Sequence, residues 1–218
     1  MFEAIRDGDI ERVQQLIDSD PALAQTPNAD GLTPVLWALY TNHAEIAQAL
    51  LTRIPEALLS IHEAAATGRA ARIADILRSD GQAANAYAAD GFQPLGLAAF
   101  FGQAEALDVL IAHGADVNSP ARNSLVVAPL HSALAGPQPD LARRLLAAGA
   151  DANARQSGHA VPLHTAAYVG LLELTSLLLQ HGADPTVAND QGRTPEAVAR
   201  ERGHTEVADV LASASRSR

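Results

Sequence analysis

The chain is predicted to be an all-α solenoid of about seven helix-turn-helix units with projecting finger loops, and three observations carry that reading. A proline-containing phrase returns along the chain as Thr33-Pro34, Gln93-Pro94-Leu95, Ala128-Pro129-Leu130-His131, Val161-Pro162-Leu163-His164 and Thr194-Pro195. Pro94, Pro129, Pro162 and Pro195 stand 35, 33 and 33 residues apart, the period of a stacked supersecondary unit. A second phrase closes the units: Gly114-Ala115-Asp116-Val117-Asn118, Gly149-Ala150-Asp151-Ala152-Asn153 and Gly182-Ala183-Asp184-Pro185. Finally, 218 residues with 48% hydrophobic and 18% charged side chains are enough to bury a sizeable core.

Each part of the unit has a mechanical reason. In the first phrase Thr caps exposed amide donors, and Pro takes the first helical position, where its missing N–H costs nothing and its fixed φ suits the helix. About two turns later a break such as Phe100-Phe101-Gly102 or Tyr168-Val169-Gly170 ends the first helix. A second amphipathic run follows, as in Glu105-Ala106-Leu107-Asp108-Val109-Leu110-Ile111, with apolar residues at helical spacing. The glycine of the second phrase supplies the left-handed residue that stops this helix. Asp30-Gly31, Asp90-Gly91 and Gln191-Gly192 read as turns leading into the next unit.

This grammar resembles the ankyrin repeat from Phe2 to about Leu211. The units fall at roughly 2–30, 31–57, 58–89, 90–121, 122–155, 156–188 and 189–214, within a single domain spanning 1–218 whose first and last units act as caps. Bacterial ankyrin proteins look similar in detail, in phrases such as Asn85-Ala86-Tyr87, Asp90-Gly91-Phe92 and Phe100-Phe101-Gly102. The resemblance implies a concave face lined by the fingers and the last turn of each first helix. It also implies that imidazoles at the repeat position shared by His62, His131 and His164 bond to neighbouring loops.

The pattern is interrupted in three places. A 60-residue offset aligns Glu3 with Glu63, Gly8 with Gly68, Arg12 with Arg72, Asp30-Gly31 with Asp90-Gly91 and Pro34 with Pro94, as if the start were duplicated. At about 51–61, Leu51-Thr52-Arg53-Ile54-Pro55-Glu56-Ala57 replaces the Gly-Ala-Asp ending and leaves no room for a finger, so a short junction with altered stacking is expected. The finger containing Ser119 to Val127 is two residues longer than its successors, and insertions of this kind usually face the ligand.

Several functions are disfavoured. A net charge of −10 repels phosphate backbones and anionic membranes. No apolar run reaches the roughly 20 residues needed to cross a bilayer, and the first residues show no basic region followed by an apolar stretch, so a cytoplasmic location is expected. There is no cysteine for a disulfide or thiolate site. The eight histidines lack partners at metal-ligand spacing, Asp116, Asp151 and Asp184 recur as turn residues, and no serine sits in a nucleophile elbow. No catalytic residue, cofactor or metal is expected.

What the repeat leaves free is a binding surface. The chain has eight aromatic residues, and Tyr40, Tyr87, Phe92, Phe100, Phe101 and Tyr168 fall on fingers or first-helix ends, whereas Phe2 and Trp37 read as cap and core. Rigid aromatics supply large contact area at small entropic cost. The cluster Tyr87, Phe92, Phe100 and Phe101 is the leading partner-binding patch, unless those rings pack within the solenoid. Arg122 and Asn123 on the long finger and Arg155 on the next are rim residues that favour an acidic partner. The expected function is a non-catalytic adaptor, scaffold or inhibitor that binds another protein as a monomer. Its alternative is a self-associating protein using the same patch.

Overall fold

The computed structural model describes residues 1–216, and all regular structure among them is helical. Fourteen α-helices follow one another in antiparallel pairs: α1 (Phe2–Arg6) with α2 (Ile10–Ser19), α3 (Pro34–Tyr40) with α4 (Ala44–Leu51), and α5 (Ile61–Ala66) with α6 (Ala70–Ser79). Then come α7 (Pro94–Phe100) with α8 (Ala104–Ala112), α9 (Pro129–Ala135) with α10 (Pro139–Ala147), α11 (Pro162–Val169) with α12 (Leu172–Gln180), and α13 (Pro195–Glu201) with α14 (Thr205–Arg216). First helices stack on first helices and second on second, giving two layers.

Local chemistry sets the helix ends. The Thr33 and Thr194 hydroxyls accept from Leu36 N and Ala197 N, with Pro34 and Pro195 at the first helical positions. Ser60 and Glu63 form a reciprocal capping box at α5. At α11 no hydroxyl is available, and His164 Nδ1 instead accepts from Val161 N at 3.1 Å. Between the layers lies a leucine- and alanine-rich core in which Leu95, Leu107, Leu110, Leu130, Leu145 and Leu163 are fully buried. Each contributes about 1.5–3 kcal/mol of burial free energy.

That core is not continuous. Ile5, Val13, Ile17, Val35, Ile46, Leu50, Ile54 and Leu59 form one cluster, while Leu32 and Leu36 join the helices from α5 onward in a second, larger one. The division runs through the second helix pair, next to a 3₁₀ turn (Glu56–Leu58) that leads straight into α5. Here α3 meets α5 and α4 meets α6 more thinly than other neighbours in their rows. Trp37 and Leu39 touch both clusters.

Two features depart from the sequence reading. His62 occupies the second position of α5; the third position, which His131 and His164 hold in their helices, belongs to Glu63. His62 nevertheless bonds a neighbouring loop, the Ala86 carbonyl, at 2.9 Å. In the duplicated region, 3₁₀ turns (Pro21–Ala24 and Gly81–Asn85) follow α2 and α6 where the repeat pattern gave no helical turn. Asp20 and Asp80 cap them by accepting from Ala22 N and Gln82 N.

Candidate partner-binding groove

The fingers are held in a row by their own polar atoms. Asn85, Asn118 and Asn153 each donate from Nδ2 to the carbonyl of Gly114, Gly149 or Gly182, at 3.0, 3.1 and 3.0 Å. Each accepts at Oδ1 from the backbone amide of Asp116, Asp151 or Asp184, at 2.8, 2.7 and 2.8 Å. The three aspartates turn inward on their own loops, accepting from Asn118 N, Asn153 N and Thr186 N. They serve as turn residues.

Against this row the long finger docks closely. Arg122 N donates to the Gly91 carbonyl at 2.8 Å, and Asn123 Nδ2 donates to the Asp90 carbonyl at 2.9 Å. A Cβ at Gly91 would meet the Arg122 carbonyl oxygen at 2.6 Å, and Gly91 has φ +81°, so the approach requires glycine. On the far side Ser157 N donates to the Leu125 carbonyl at 2.9 Å. Val126, between Leu125 and Val127, has φ +53°, a left-handed conformation that β-branched residues rarely adopt.

Beneath this finger, between α7 and α9, lies a groove of about 350 Å³ walled by Tyr40, Phe92, Leu97, Phe100, Leu125 and Val127. Only Ser132, His131, Gln156 and Thr165 add polar side chains to it. Its floor opens because Gly96 holds the third position of α7, where the neighbouring first helices carry Glu63, His131 and His164. Gly96 is the one glycine inside the described α-helices. A Cβ there would meet nothing closer than Ser132 Oγ at 3.8 Å and Phe92 Cδ1 at 3.9 Å, an ordinary contact, so packing does not demand glycine.

Gln156 and Thr165 also line a second, more polar cavity of about 680 Å³, shared with Tyr168, Asn189, Arg193 and Arg202. Leu125, Tyr168 and Phe100 are 53%, 54% and 40% exposed and lie along this trough; Leu58 and Leu172, also exposed, lie outside its lining. The Arg202 guanidinium carbon lies over the Tyr168 ring, 3.6 Å from its centroid, and no carboxylate pairs with it among the described residues. Arg193 is paired with Glu201 at 2.7 Å.

The aromatic residues singled out from sequence therefore divide. Tyr40, Phe92 and Phe100 face the groove, and Tyr168 faces the adjoining cavity. Tyr40 is anchored by donating its phenol to Asp90 Oδ2 at 2.7 Å, and burial together with that carboxylate raises its pKa, so it stays protonated. Phe101 packs on the core, 5.8 Å from Tyr40 and edge-on to Phe100 at 5.1 Å. Tyr87 is committed to the scaffold through its hydroxyl to Ser119 at 2.9 Å, with Arg122 over its ring at 3.9 Å. Asn123 spends its amide within the fingers, since its Oδ1 also accepts from Leu125 N at 3.0 Å. Arg155 is exposed beside Gln156. Sequence reasoning missed Leu125, Val127, Gly96 and Arg202; the interruption of Pro-Leu-His to Pro94-Leu95-Gly96 was the available signal.

His62, His131 and His164 pack within the scaffold. His164 Nε2 lies 2.9 Å from the Arg193 carbonyl, and burial lowers its pKa and that of His62. His131 is 1% exposed; burial pushes its pKa down to about 4, the Ala154 carbonyl opposing this only in part, and neither ring nitrogen completes a hydrogen bond of normal geometry. No cluster of three or more His, Asp or Glu side chains with metal-binding geometry occurs among the described residues.

The family model for ankyrin repeats (3 copies) matches residues 1–121, 61–156 and 130–217. The chain belongs to the ankyrin-repeat family. Ankyrin repeats generally mediate protein–protein interaction, and the paired helices with hydrogen-bonded fingers are the framework on which this ankyrin chain presents its groove. Comparison with curated proteins gave no match. No helix among the described residues is long and apolar enough to cross a membrane.

Proposed function

We propose that this ankyrin-repeat chain is a non-catalytic binding module, an adaptor, scaffold or inhibitor, that engages a partner protein through the concave face formed by its first helices and fingers. Each helix pair is read as one repeat of a seven-unit, single-domain stack, working as a monomer in the cytoplasm without cofactor or metal. The observation that carries the reading is that three exposed apolar side chains, Phe100, Leu125 and Tyr168, line one open groove and the cavity adjoining it. On the second layer α4 and α8 expose the acidic Glu45, Glu105 and Asp108, and α12 exposes a single Leu172 at its first residue.

Affinity capture with face-specific variants tests it. A variant carrying Phe100→Ser, Leu125→Ser and Tyr168→Ser is expected to lose a partner that the parent retains, while Glu45→Ala with Glu105→Ala on the second-helix layer keeps it. Equal retention by both variants, each verified as helical by circular dichroism, refutes concave-face binding. Self-association through the same patch is separated by light scattering during gel filtration, where the parent is expected to elute with the mass of one chain.

A further inference from the structure

We infer that the trough takes an acidic peptide segment of the partner, seating one bulky apolar side chain in the Gly96 groove and setting a neighbouring Asp or Glu against Arg202. This rests on the concave-face reading and specifies the chemistry of what binds there.

The groove accounts for the apolar anchor. About 350 Å³ walled by Phe92, Leu97, Phe100, Leu125 and Val127 is too apolar to hold a charged group, and it lies at the small end of sites that enclose a ligand. Its existence depends on the side chain missing at Gly96. At the same helical position the next two first helices carry imidazoles, His131 on the wall of this groove and His164 on the wall of the neighbouring, more polar cavity. The apolar groove lies under the one lengthened finger, which supplies Leu125 and Val127 to its wall.

Charge identifies the remainder. The protein carries −10 overall, so an acidic segment is repelled unless a local cation receives it. Carboxylates near the trough are already engaged: Glu201 with Arg193, Asp190 with His159, and Asp90 with the Tyr40 phenol. Arg202 is different. Its guanidinium is held over Tyr168, which orients the planar donor fork without neutralising it, and its cavity meets the groove at Gln156 and Thr165. A chain lying across that meeting point reaches both sites. The floor between them presents Gln156 and Thr165, which suit main-chain amides better than a second apolar side chain.

The test is selection of random-sequence peptides displayed on phage against the full chain, followed by fluorescence anisotropy of the enriched peptides. Enriched sequences are expected to combine Leu, Ile, Met or an aromatic residue with a nearby Asp or Glu. Gly96→Leu fills the groove without removing any wall residue, and Phe100→Ser removes a wall; each is expected to weaken binding about tenfold or more, with thermal unfolding verifying the fold. Arg202→Gln is expected to cost about threefold, as is changing the peptide acid to its amide, and the two together should cost no more than either alone. Enrichment without acidic residues, enrichment of no sequence, or affinity indifferent to both Gly96→Leu and Phe100→Ser overturns the inference. If such peptides are still lost on Tyr168→Ser or Leu125→Ser, the inference fails while concave-face binding stands; if none of these changes matters, both fail.

Discussion

Asn85, Asn118 and Asn153 each tie one repeat to the next with two hydrogen bonds, one given and one received. Replacing Asn118 by Ala strands the Gly149 carbonyl and the Asp151 amide, both near solvent. A loss of about 1–2 kcal/mol is expected in urea unfolding, with a smaller change for Asn118→Asp, which still accepts. At Gly91, alanine needs a left-handed backbone and collides with the Arg122 carbonyl, so Gly91→Ala is expected to cost about 1–3 kcal/mol and loosen the long finger. His131 makes stability depend on pH. Its folded pKa of about 4 lies below the ordinary 6.5, so the unfolded chain binds more protons between those values and stability falls as pH drops through that window. The loss from this residue is about 2 kcal/mol on going from pH 7.5 to 5. His62 and His164 shift in the same direction, so His131→Leu is expected to flatten the profile only in part. Urea midpoints across that range check the sign.

At the scale of elements, the long finger combines close docking with local strain. Leu125 and Val127 wall the groove, and Val126 between them is held at φ +53° while 41% exposed. Glycine adopts that conformation freely, so Val126→Gly is expected to stabilise the protein by about 1 kcal/mol in thermal unfolding, since little apolar area is lost. The finger's extra length was legible from the spacing of Gly114 and Pro129, because insertions alter the interval between recurring phrases. Its conformation was not. Which of Leu125, Val126 and Val127 points into the groove depends on hydrogen bonds from Arg122 and Ser157 on either side, contacts that arise only once three units stack. The same limit explains Tyr87 and Asn123, free by their place in the repeat but engaged by neighbouring fingers.

Over the whole molecule the core divides within the second helix pair, beside the 3₁₀ turn before α5, with Leu36 in the larger cluster and Trp37 touching both. In a stack where each unit is stabilised by its neighbours, a thin interface weakens cooperativity. The first four helices, with the smaller core, are expected to unfold first. Trp37 is the only tryptophan, so its fluorescence should report a lower urea midpoint than circular dichroism, which sums all helices. Coincident midpoints indicate one cooperative unit. Hydrogen exchange should likewise find α1 to α4 less protected than α7 to α11.

The sequence by itself determined the repeat. Proline and threonine placement, glycine stops and apolar periodicity act within a few residues of one another, so helix starts, helix ends and the lengthened finger are all written locally. It also limited the aromatics available to a binding face to a few positions. Only the tertiary structure decided which of them face outward, that a missing side chain at Gly96 opens a groove, that Arg202 lies over Tyr168 with no carboxylate partner among the described residues, and that asparagines link successive units. Each of those outcomes joins residues about one repeat or more apart. A periodic sequence writes the same instruction at every repeat, and it is stacking that makes one copy of the surface different from the next.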